Sequence, residues 1–268
     1  MDRPASQRGQ AGRRRALESL WQGGAFHSAF LVAIGAWAGA QNALAGGGSF
    51  ITLPALMATG LDARVANLSS TVALFPGQIT TALANRKLVS GIGGVGFGWL
   101  LGASLLGGVV GALLLLATPS DVFRRLLPWL VLTATLLFAR GAFGRPLEAK
   151  ALAPTPLKAG QLLVGIYGGY FGGGIGFLML ALFTLAGSTV RVAQANKNAL
   201  AAAMNLAGAA VFMLSGEVAW ESALALGAGS ILGGWLGAHA IRHVPDKALK
   251  ASVVAIGLLL TAGLFWKG

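Results

Sequence analysis

Apolar positions in this chain come in long blocks, at about 25–45, 46–59, 65–85, 91–117, 122–139, 160–171, 175–187, 192–214, 222–241 and 248–266, with short polar or charged clusters between them. A helix needs about 20 apolar residues to cross the hydrocarbon of a bilayer, and most of these blocks are long enough. The pattern predicts an all-α polytopic membrane protein. Two pairs of blocks depart from it: 25–45 with 46–59, and 160–171 with 175–187. Each pair meets at a glycine triplet, in "LAGGGSF" and in "YFGGGIG".

The longest polar connection, 140–158, contains Pro146, Pro154 and Pro156 and divides the chain near its middle. The expected organisation is a basic tail over 1–24, a first transmembrane repeat over 25–139, a linker over 140–158 and a second transmembrane repeat over 159–268. The repeats are visible at a fixed shift. Moving by 127 residues brings Gly46 onto Gly173, Gly47 onto Gly174, Phe50 onto Phe177, and Arg64-Val65-Ala66 onto Arg191-Val192-Ala193. Each homologous half is expected to hold a glycine-broken helix pair followed by about three transmembrane helices, roughly eight transmembrane segments in all. Gly94, Gly98 and Gly102 are spaced by four, as are Gly229, Gly233 and Gly237. Such stripes let helices approach closely, so these six are expected to pack.

Composition agrees. Hydrophobic residues make up 55% of the chain and charged residues 10%, against about 25% charged in soluble domains. With no cysteine, thiolate chemistry, disulfides and thiolate metal sites are excluded. His27, His239 and His243 show no metal-ligand spacing, so neither a metal nor another cofactor is expected. The net charge of +12 comes from basic residues that mostly flank apolar blocks. There they act as topology signals and contacts to the lipid bilayer, not to nucleic acid. A cleaved signal peptide over the first apolar block is the alternative to an uncleaved span, and the repeat favours the span.

A helix broken within lipid leaves backbone groups unpaired unless protein or a water-filled cavity covers the break. A helix restarting there points free N–H groups and positive dipole at the gap, which suits an anion. Interrupted segments at matching positions of two halves point to a transporter's substrate site. The bland alternative is close packing of glycine-rich helices. The polar neighbours favour a site: Asn42, Gly46, Gly47, Gly48, Ser49, Asn67 and Ser69 in the first half, and Gly172, Gly173, Gly174, Gln194, Asn196, Lys197, Asn198 and Asn205 in the second. Under the shift, Asn67 pairs with Gln194, Ser69 with Asn196, Gln78 with Asn205, and Ser70 with Lys197. Lys197 stands apart from the linker and terminal basic clusters, and an ionisable residue inside a span is a functional candidate. Snorkelling to the headgroups is its alternative. All eight acids fall in terminal or loop segments, so an anionic substrate fits better than a cation.

The stretches "AGGGSFITLPALMATGLDARVANLSSTVAL" and "YFGGGIGFLMLALFTLAGSTVRVAQANKNALAAAMNLAGAAVFMLSGEVAW" resemble the TauE/SafE family of sulfite exporter-like permeases. The resemblance runs from about residue 30 to the C-terminus. It implies a multi-pass permease of the cell inner membrane for small sulfur-containing anions such as sulfite or organosulfonates, with export favoured. It places the substrate at the two breaks with Asn67, Ser69, Asn196, Lys197 and Asn198.

Topology stays open. If each broken pair makes one crossing, there are eight crossings with both termini cytoplasmic, and basic residues are in excess inside, as the positive-inside rule asks. If each pair enters and returns, the halves form an inverted repeat with a slight basic excess outside. No catalytic constellation of the serine-hydrolase or zinc-protease type is present, so no enzyme is expected. A membrane scaffold or assembly factor without transport, or an anion channel, are the competing functions. Nothing in the chain sets an oligomeric state.

Overall fold

The computed structural model describes residues 24–44, 46–84, 86–143, 152–240 and 246–267. The basic tail, apart from Gly24, and the centre of the linker lie outside the described residues. Helices α1 (Ala25–Leu44), α2 (Ser49–Ala58), α3 (Ala63–Ala84), α4 (Phe97–Ala117) and α5 (Ser120–Phe143) form the first half. Helices α6 (Pro154–Tyr170), α7 (Ile175–Leu185), α8 (Val190–Ser215), α9 (Trp220–Ala240) and α10 (Asp246–Lys267) form the second. The ends follow from local chemistry. Pro154 opens α6, where a missing N–H costs nothing. The Thr189 hydroxyl caps α8 by accepting from the Val192 N–H, and Gly216 closes that helix in the left-handed conformation. Both glycine triplets fall between helices, as expected.

The outer faces are largely apolar, and a set of polar side chains is buried within an otherwise apolar core. Trp37, Leu106, Leu113, Trp129, Leu136, Leu163, Leu259 and Trp266 are exposed, while Gln41, Asn67, Ser69, Asn196, Lys197 and Asn205 are buried. A soluble protein avoids so much exposed apolar surface, whereas hydrocarbon solvates it. By length and composition, Phe97–Ala117, Ser120–Arg140 and Val190–Ser215 suffice to cross a membrane. Helices α2 and α7 have 10 and 11 residues. At 1.5 Å per residue they extend only about 15 Å, half a bilayer core.

The two halves interlock. Helix α1 packs chiefly on α9 and α6 on α4; α3 packs on α9 and α8 on α4; α2 touches α10 and α7 touches α5. Helices α3 and α8 meet at the centre, and α5 lies against α10.

The small residues that permit these contacts are not all those the spacing indicated. A side chain on Gly98 or Gly102 would meet nothing within 4 Å, and Gly94 lies in the turn before α4 with φ +78°. The packing expectation for these three is therefore corrected: they occupy the open side of α4 or precede it. It holds for Gly229, Gly233 and Gly237, which face the α1 backbone at Val32, Ala36 and Ala40. On α4 the packing glycines are Gly107, Gly108 and Gly111. A Cβ on Gly107 would lie 2.6 Å from the Gly165 carbonyl carbon, and Gly108 abuts Met204. On α9, Gly234 abuts Gly77. Gly77 and Met204 are 127 apart, and the motifs read "SLLGGVVG" (104–111) and "SILGGWLG" (230–237).

Candidate functional site

The first break is built by glycines that adopt φ values closed to other residues. Gly46 and Gly47 have φ +85° and +80°. The Gly46 N–H donates to the Gln41 carbonyl (2.9 Å), closing α1. The Gly48 N–H, at the start of α2, donates to Asn42 Oδ1 (2.7 Å). Asn42 thus meets one of the donors that a helix start leaves unpaired.

The second break uses Gly172 (φ +75°) and Gly174 (φ +77°). Here the orphaned carbonyls are met from outside. Asn67 Nδ2 donates to the Tyr170 carbonyl (3.1 Å), and the Tyr167 hydroxyl donates to the Gly173 carbonyl (3.1 Å). A side chain on Gly46 would approach Gly176 and the Phe177 ring, and one on Gly173 would press on the Phe50 ring. The breaks therefore face each other through reciprocal glycine–phenylalanine contacts.

Between them lies a cavity of about 30 Å³. The first half contributes Asn42, Gly46, Gly47, Ser49, Gln78 and Thr81 to its wall, and the second Gly172, Ile175, Gly176, Lys197, Asn198 and Ala201. That is room for a couple of waters. At its edge, Asn205 Nδ2 donates to Gln78 Oε1 (2.7 Å), joining two residues 127 apart.

Lys197 is the unusual group here. It is 2% exposed, on the inner face of α8, and its Nζ has no hydrogen-bond partner. A side chain on Gly176 would come within 3.3 Å of Lys197 Cδ and 3.7 Å of Nζ. Glycine at 176 thus leaves the amine open to the second break. Snorkelling is excluded by this burial. An ammonium out of water costs several kcal/mol unless something compensates it, and no carboxylate among the described residues pairs with it.

Of the residues singled out in the sequence, Asn42, Gly46, Gly47, Ser49, Gly172, Lys197 and Asn198 line the cavity. Asn205 reaches it through Gln78. The others do structural work. Ser69 Oγ accepts from the Ala219 N–H (3.0 Å) and Asn196 Oδ1 from the Ser90 N–H (3.4 Å). These equivalent positions each tether a loop of the opposite half. Asn67 serves the Tyr170 carbonyl, Gly48 packs against Asn42 and the Ala38 carbonyl, Gly173 against Phe171, and Gly174 against Ala134. Gln194 is half-buried near the start of α8 and is absent from the cavity wall. Sequence reasoning missed Thr81, Ile175, Gly176 and Ala201 as wall residues, and named Gln78 only as a partner of Asn205. Only Gly176 had a signal, as the fourth glycine of "GGGIG".

Arg64 does more than flank an apolar block. Its guanidinium pairs with Glu217 and donates to the Leu116 carbonyl (2.9 Å), fastening α3, α4 and the α8–α9 loop together. Its counterpart Arg191 is exposed.

An apolar exterior, a cluster of buried polar side chains and two broken helices around a buried cation define a helical membrane protein. Comparison with known proteins specifies it further. The family model described as sulfite exporter TauE/SafE matches residues 31–264, so the chain belongs to that family. A "Probable membrane transporter protein" of Haemophilus influenzae is 31% identical over 245 residues, covering 89% of this chain and 94% of its own length. The "Probable membrane transporter protein YfcA" of Escherichia coli K12 is 31% identical over 236 residues, covering 85% and 86%. The "Probable membrane transporter protein ORF9" of a Sinorhizobium species is 32% identical over 249 residues, covering 90% and 93%. No solved structure matches. The family is one of membrane transporters, not a class of enzymes.

Proposed function

We propose that this chain is an inner-membrane permease for small anions, sulfur-containing ones such as sulfite or organosulfonates foremost, that binds them between the two glycine breaks and exports them. One observation carries the reading. The Lys197 amine is buried, unpartnered, and faces a cavity walled by both breaks. Around it stand the donors an anion needs: the Asn198 amide, the Ser49 hydroxyl, and the first turn of α7 at Ile175 and Gly176. A polyatomic anion needs more room than about 30 Å³, so the cavity widens on loading.

The reading includes two repeats related by a pseudo-two-fold. In its favour, α1–α9 contact is matched by α6–α4, and α2–α10 by α7–α5. The Gln78–Asn205 bond joins equivalent residues, as happens on a two-fold axis. Counting each broken pair once gives roughly eight crossings.

The test is initial sulfite flux in proteoliposomes at matched protein density. Lys197→Met lowers flux at least about tenfold, equivalent to about 1.4 kcal/mol. Lys197→Arg keeps part of it, since the charge survives with a different donor geometry. Unchanged flux in the Met variant refutes the site. Flux that fails to saturate favours a channel, and absence of flux in the parent favours a scaffold.

A further inference from the structure

Among the described residues, the cavity wall holds one full charge, that of Lys197. Besides Lys197 it consists of amides, hydroxyls, glycine backbone and two apolar side chains. The acidic residues Asp62, Asp121, Glu217 and Glu221 all lie in loops or first helical turns, away from it. Arg64, a half-buried cation, is held by Glu217 and the Leu116 carbonyl. The start of α7 adds partial positive charge, about half a unit for a helix N-terminus. Resting on the anion reading of this cavity, we infer that it selects by charge number: singly charged anions bind, sulfite among them in its hydrogensulfite form, and doubly charged anions of the same size are rejected.

The physical argument is one of scaling. The cost of removing an ion from water rises with the square of its charge, so a dianion costs about four times as much as a monoanion of the same radius. Its attraction to one fixed ammonium rises only linearly, to about twice. A monoanion beside Lys197 makes a neutral pair. A dianion leaves a net negative charge in a site whose other groups are neutral dipoles. Hydroxyls and amides soften that excess without cancelling it. Helix α7 cannot cancel it either, because it offers about half a charge shared over its first turn. Position 70, which the repeat makes equivalent to 197, holds Ser70, whose hydroxyl is paired with that of Thr52. The place where symmetry would supply a second cation therefore holds a neutral side chain engaged elsewhere.

The experiment is calorimetric titration of the purified full-length protein with methanesulfonate and with sulfate at constant ionic strength and neutral pH. The two anions are tetrahedral, of similar size, and fixed in charge there. The parent is expected to bind methanesulfonate at least about tenfold more tightly than sulfate. Asn198→Lys, which adds a second cation to the same wall, narrows that gap. If Asn198→Lys does not fold, the parent comparison decides. Equal or tighter sulfate binding by the parent, with both affinities lost in Lys197→Met, overturns the charge selection and leaves the anion site standing. Methanesulfonate binding that is unaltered in Lys197→Met removes the anion site and the inference with it, as does failure of the parent to bind either anion.

Discussion

Ser69 and Asn196 each hold a loop in place. Both are polar groups at equivalent places beside a break, and both are buried at 0% exposure. Each is committed to a backbone N–H of the opposite half, at Ala219 and Ser90. Replacing Ser69 with alanine strands the half-buried Ala219 N–H, at a cost of about 1–3 kcal/mol, and replacing Asn196 removes a buried side chain that ties the exposed Ser90 N–H to the Val192 carbonyl. Asn196→Ala is accordingly expected to lower the melting temperature in detergent while flux per folded molecule stays within about twofold; a selective loss of substrate affinity would return Asn196 to the site. Gly174 behaves similarly. Its φ is +77°, and a side chain there would meet Ala134 Cβ at 2.9 Å. Gly174→Leu is expected to impair folding, whereas Gly47→Leu, on the cavity wall at φ +80°, is expected to abolish flux as well in whatever protein inserts. A Gly47→Leu protein with near-normal flux would contradict the placement. Lys197 was legible as an isolated charge in an apolar block. That its amine has no partner was not, because partners come from the packing of α7 and α8.

At the scale of elements, the helices and their glycine breaks were readable from apolar blocks, since length and interruption are properties of the chain alone. Which glycine face packs is a property of the neighbour. The spacing of Gly94, Gly98 and Gly102 resembled that of Gly229, Gly233 and Gly237, yet Gly98 and Gly102 have open space around them. The better signal was the repeated octet, "SLLGGVVG" and "SILGGWLG", whose glycines sit against α6 and α8 in the first and against α1 and α3 in the second. Gly233→Leu would drive a side chain into the Ala36 backbone, with a Cβ 2.6 Å from its carbonyl carbon. Backbone cannot yield as a side chain does, so this variant is expected to lose several kcal/mol or fail to fold. Gly98→Leu is expected to leave the melting temperature within a few degrees of the parent. Comparable losses in the two variants would overturn this assignment. The Arg64 ion pair also belongs at this scale. It clamps three elements on one side of the molecule, while Arg191 stays exposed. Glu217→Gln, which keeps the shape and removes the charge, is expected to lower stability and leave anion affinity unchanged, because Arg64 and Glu217 are absent from the cavity wall. A change in affinity without a change in melting temperature would tie the clamp to the site instead.

For the whole molecule, an apolar perimeter around a small buried polar cluster sets where chemistry can occur. Lipid tolerates neither the broken backbone nor the buried amides, so both gather at the centre, where α3 and α8 meet. The sequence carried the membrane class, through composition. It did not carry the cavity's asymmetry. Lys197, Asn198 and Ala201 from one half oppose Gln78 and Thr81 from the other, further along α3, an offset that arises only when the two halves interlock. The account stands on an anion resting against Lys197. Its most direct test is anomalous diffraction from crystals grown with methaneseleninate, a singly charged anion whose selenium marks its position. The account predicts one dominant selenium peak between the breaks, with an anion oxygen within hydrogen-bond reach of Lys197 Nζ and the first turn of α7. A dominant peak elsewhere, or no selenium between the breaks at saturating concentration, would contradict it.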